Sequence, residues 1–170
     1  MIHLNTCVVY CGFFVANSIL KKSFEDGIYI TPLKLNCLTY FLYSNYLFKT
    51  GDVLFTELFM KTNKGLVLPS LDFKFGCFQN NVITKFAKDS RGKIFIINDD
   101  SFLECLLYIW SKYKYMSECE MLNCLNSTNA IKKTEVYGVL FVEDILDDEI
   151  NRNEELLERA KGSRIYRRSK

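Results

Sequence analysis

Residues 31–48, TPLKLNCLTYFLYSNYLF, constrain the fold of this chain more than any other stretch. Thr31 suits an N-cap, because its hydroxyl can accept a first-turn N–H. Pro32 suits the first helical position, where a missing N–H costs nothing. Leu33, Leu35, Leu38, Phe41, Leu42, Tyr46 and Leu47 then recur, with Cys37, Tyr40, Tyr43 and Phe48 on the other sides. Only Lys34, Asn36, Thr39, Ser44 and Asn45 are polar. A helix apolar around so much of its circumference is a buried one. At roughly 18 residues it has the length of a short membrane span, but Lys34 and the two amides place it at the centre of a soluble domain. Gly51 suits its C-terminal cap. The expected fold class is mainly α with a small antiparallel β element (α+β), a compact single domain around a buried central helix.

Length supports one domain, because 170 residues can bury a sizeable core. Fourteen phenylalanines and ten tyrosines make that core aromatic. The seven cysteines are odd in number and lie mostly inside apolar runs. That argues for thiols used as small hydrophobes in a reducing cytoplasm rather than a disulfide framework. Residues 7–20 are apolar but lack a preceding positive region and a following cleavage site, so they read as a first buried helix over 8–22 rather than a signal peptide.

Further along, Asn63-Lys64-Gly65 marks a turn and Pro69 a break. Residues 71–86 fit strand or helix. Residues 82–88 and 93–98 flank the turn formers Asp89-Ser90-Arg91-Gly92. Because Ile94, Phe95, Ile96 and Ile97 favour strands, the spacing predicts a β-hairpin there. Asp99-Asp100-Ser101 caps the next helix, with a capping box suggested by Ser101 and Glu104, and Ser117 with Glu120 repeats the pattern. Residues 143–160 form an amphipathic helix that Gly162 ends, so the domain spans 1–162 and a basic, mobile tail spans 163–170. Residues 143–158 carry eight carboxylates and one Arg, and 159–170 carry six Lys/Arg and no acid, an order that suits the helix dipole.

The chemistry of the chain points away from catalysis. The single histidine, His3, is near the N-terminus, which leaves no Ser-His or Cys-His arrangement. Cys7/Cys11 and Cys119/Cys124 have loosely metal-like spacing but fall on apolar helical faces, so no metal site is assigned. No Gly-rich phosphate loop occurs, and no cofactor is implied. Asp99-Asp100 and Asp147-Asp148 read as a cap and a solvated face. Arg164, Arg167 and Arg168 in the basic tail are candidate phosphate contacts.

One family resemblance stands out. Ile30, Thr31, Pro32, Leu33, Lys34, Leu35, Leu38 and Tyr40 are similar to the I-T-P-L-K-L signature of the Panacea (SocA-like antitoxin) domain. Gly51, Leu54, Phe55, Glu57 and Phe59 resemble its middle, and Gly65, Val67 and Pro69 its G-P-V-x-P end. The resemblance is strongest over residues 13–69. The family's Trp falls on Thr62 and its Pro on Leu66. The resemblance implies a helical, non-enzymatic antitoxin of phages and mobile elements that binds a toxin protein or delivers it to a protease. The less buried polar positions of the motif, Lys34, Asn36, Glu57 and Lys61, are then the candidate partner contacts. A second reading is a phage-encoded inhibitor of a host defence nuclease, of the anti-CRISPR type, using the acidic face of residues 143–158. A third is a nucleic-acid-binding accessory acting through the tail. No membrane partner is expected.

Overall fold

The computed structural model describes the backbone of residues 9–167 and the side chains of residues 9–157. Within it, Thr31 caps helix α2, Pro32–Thr50, by accepting from the Lys34 N–H, and Pro32 opens the first turn as expected. Gly51 closes the helix at φ 77°, a left-handed value that a side chain would strain. Every residue from Leu35 to Ser44 is buried. The helix packs against α1 (Gly12–Asp26), α3 (Pro69–Phe75), α4 (Asp100–Tyr113), α5 (Glu118–Asn126) and α7 (Val142–Arg167). The central-helix expectation is met.

Aromatic rings fill the space around α2. Tyr43 meets Phe55 with ring centroids 4.8 Å apart, and Tyr40 meets Phe59 edge-on at 5.4 Å. Phe41 stacks on Tyr113 of α4 at 4.4 Å and an interplanar angle of 2°. Such contacts add specific geometry to the apolar area that they remove from water.

Helix α1 starts at Gly12 and ends at Asp26, four residues later at each end than the sequence pattern suggests. The later end has a local cause. Lys22 pairs with Asp26, Lys21 pairs with Glu25, and Gly27 takes the left-handed cap at φ 67°. The start is sterically fixed. A Cβ at Gly12 would lie 2.5 Å from Leu68 Cδ2 and 3.0 Å from Ser70 Oγ, so α1 approaches the α3 entrance more closely than a side chain allows.

The β element is a short hairpin, β1 (Met60–Thr62) and β2 (Gly65–Val67), paired antiparallel as Met60↔Val67, Lys61↔Leu66 and Thr62↔Gly65. The mainly α, α+β fold class therefore holds, but the hairpin expected over 82–98 does not form. Residues 93–99 belong to no sheet, and their backbone is bonded to side chains of α1 instead: Ile97 N–H donates to Ser18 Oγ at 2.9 Å, and Asn17 Nδ2 donates to Phe95 O at 3.4 Å. Residues 69–75 are helical, and a 3₁₀ turn follows at Gly76–Phe78. Helix α4 is capped by Asp99, whose Oδ1 accepts from Phe102 N, and not by Ser101. Ser117 and Glu120 form the expected capping box of α5. A further helix, α6, occupies Asn129–Lys133. Helix α7 runs through Gly162 to Arg167, so the stop expected at Gly162 is absent. Residues 1–8, which include His3 and Cys7, and residues 168–170 lie outside the described residues.

Candidate functional site

The four candidate contacts of the motif are all engaged inside the molecule. Lys34 Nζ donates to the carbonyls of Lys114 and Met116, both at 2.7 Å, and so closes the exposed end of α4. Burial pushes the Lys34 ammonium below its usual range, while Glu118 and Glu120 act in the opposite sense. Asn36 is buried at 6% exposure, not one of the less buried positions. Its Nδ2 donates to Pro32 O at 3.0 Å and its Oδ1 accepts from Leu68 N at 2.8 Å. Glu57 Oε1 accepts from Ser70 N at 2.6 Å, in the first turn of α3. Lys61 Nζ donates to Ile131 O at 2.9 Å and Thr134 O at 2.8 Å, at the end of α6. Cations placed on final carbonyls and a carboxylate on a first-turn N–H follow the helix dipole. In these positions the side chains join elements far apart in sequence.

Sequence reasoning missed the residues that do the same work elsewhere. Asp148 is buried rather than part of a solvated face, and its two oxygens accept from Asn129 N at 2.9 Å and Ala130 N at 2.7 Å. Asn17 brackets Ala87, donating to its carbonyl and accepting from its N–H, both at 2.9 Å. The only sequence signal for either was a polar residue at a position of helical apolar spacing.

A groove of about 150 Å³ lies between α2, α4 and α7. The Phe41–Tyr113 stack lies at its base. Also at the base, Glu149, 6% exposed, accepts from Ser44 Oγ at 2.9 Å and from Arg152 Nη1 at 2.8 Å. Three large apolar residues line the opening and stay in water: Phe48, Tyr108 and Leu156, at 38%, 48% and 55% exposure. Lys49 Nζ lies 5.6 Å from the Tyr108 ring centre, and Lys112 Nζ 5.8 Å from it. Asn45 also lines this groove; its Oδ1 is buried beneath the surface and has no hydrogen-bond donor among the described residues.

Among the described residues, no cluster of three or more His, Cys, Asp or Glu side chains is arranged to hold a metal. Nor is any helix there long and apolar enough to cross a membrane. The side chains of Arg164, Arg167 and Arg168 lie outside the described residues. No family model, curated protein or solved structure matches this chain.

Proposed function

We propose that the chain is a non-enzymatic antitoxin of the Panacea-like kind, which neutralises a toxin protein by binding it directly. The observation that carries this reading is the groove between α2, α4 and α7. Exposed Phe48, Tyr108 and Leu156 surround a groove with the Phe41–Tyr113 stack at its base. An interface core takes its anchors from exposed aromatic and aliphatic side chains of this kind. Lys49 pairs with Glu104 and Arg152 with Glu149, which leaves Lys112 as the groove cation with no ion pair among the described residues and favours an acidic group on the toxin there. Lys34, Asn36, Glu57 and Lys61 serve as positioning residues, because direct contact with a partner would require breaking bonds that already close helix ends.

The test is co-expression with each reading frame that flanks the gene, scored first for toxicity alone. Rescue of growth is expected, together with a stoichiometric complex on a sizing column. Tyr108→Glu combined with Lys112→Glu should abolish both while leaving the fluorescence of buried Trp110 unchanged. Full rescue by that variant would move the binding surface elsewhere. Absence of both rescue and complex for the parent chain would refute the antitoxin reading.

A further inference from the structure

The segment expected to form a strand, residues 93–98, is the most β-prone run in the chain, yet it pairs with no strand. Its backbone partners alternate. Phe95 C=O accepts from Asn17 and Ile97 N–H donates to Ser18, both residues of α1. In an extended chain, the N–H and C=O of one residue point to one side and those of the next residue to the other. Ile94, Ile96 and Asn98 therefore direct their backbone groups away from α1. None of these groups is hydrogen-bonded to another described residue. Ile94 and Phe95 are 45% and 41% exposed. Such an open, apolar edge is a template for pairing with another strand.

The charges around it say what that strand is. Arg91 and Lys93 precede the edge, and neither forms an ion pair with a described residue. The nearby Asp89 carboxylate is taken up by the N–H groups of Arg91, at 2.9 Å, and Lys93, at 2.7 Å. Asp99 follows the edge, exposed, with one carboxylate oxygen on the Phe102 N–H of α4, and Asp100 opens that helix. A segment basic at one end and acidic at the other complements itself when two copies run antiparallel.

We propose that residues 94–98 form a self-association edge, and that two copies of the chain pair antiparallel across a two-fold axis at Ile96. Register fixes the rest. Ile96 exchanges both backbone bonds with its twin, and Ile94 pairs with Asn98 of the second copy at each end. Lys93 then stands opposite Asp99, the last pair before the turn at Gly92 and the start of α4 at Asp100. Residues directly opposite share one face of the ribbon. Ile94 of the second copy thus sits over Asn98, at a depression of about 400 Å³ with Leu103, Leu106 and Leu107 of α4 in its lining and Lys21, Lys22 and Glu25 of α1 on its other side. The contact covers Leu107, which is 53% exposed. A two-fold pairing of this kind is closed and does not propagate into fibres. It leaves the α2–α4–α7 groove open and does not depend on the antitoxin reading.

Sedimentation velocity and amide hydrogen exchange on the full chain over a concentration series test this. A dimer should appear as concentration rises, and exchange at Ile94, Ile96 and Asn98 should slow by about tenfold or more. Exchange at Ile97, already bonded to Ser18, should not change. Ile96→Pro removes the central donor and should leave a monomer with native Trp110 fluorescence. Lys93→Glu, which sets like charges opposite each other without touching the backbone, should weaken the dimer about tenfold at low salt. A chain monomeric at every concentration, with fast exchange at Ile96, would overturn the proposal. So would a dimer that persists undiminished in Lys93→Glu.

Discussion

Lys34 reaches across from the first turn of α2 to two carbonyls 80 and 82 residues away in sequence. Lys34→Met keeps the apolar stem but leaves those carbonyls without their donor, so it should destabilise the fold by about 1–3 kcal/mol in urea unfolding. Asp26 makes a different prediction. The Trp110 indole N–H, then the Lys22 and Lys114 ammonium groups, hold its carboxyl down to about 2, against an ordinary value of 3.8. The folded state keeps Asp26 ionised at pH values where the unfolded chain takes up a proton. Its contribution is therefore complete above the ordinary value and disappears as pH falls towards about 2. Asp26→Asn should flatten the acid dependence of stability in that window, followed by Trp110 fluorescence.

Helix α2 gives the clearest prediction at the level of elements. Leu38 is 1% exposed in its middle, so Leu38→Ala should cost about 2–5 kcal/mol, measured by chemical denaturation. This helix was legible from sequence because its signals are local: a capping threonine, a proline at the first position, a terminal glycine and apolar residues on every side. The hairpin was not. Ile94–Ile97 have the propensity of a strand, but their backbone partners are side chains on α1, 78 and 79 residues away. No local pattern shows that distance. The true strands, Met60–Thr62 and Gly65–Val67, are too short to show alternation. The candidate site had the same limit. Sequence marked Lys34, Asn36, Glu57 and Lys61 as polar, whereas only the packing of α4, α3 and α6 around them turns these groups inward. The groove escaped notice because Phe48, Tyr108 and Leu156 come from three helices and meet only in three dimensions.

At the scale of the whole molecule, one helix touches five others and ties most of the core to itself. Far-UV circular dichroism and Trp110 fluorescence should therefore report one coincident thermal transition. Asn17 carries a last consequence of this architecture. Its side-chain amide gives Ala87 the same donor and acceptor that a neighbouring peptide group would, at 2.9 Å each. In effect α1 contributes a single rung of ladder to a loop that has no strand to lean on. Aspartate, almost identical in shape, would set oxygen against the Ala87 oxygen. What this position demands is therefore the identity of one atom rather than a volume.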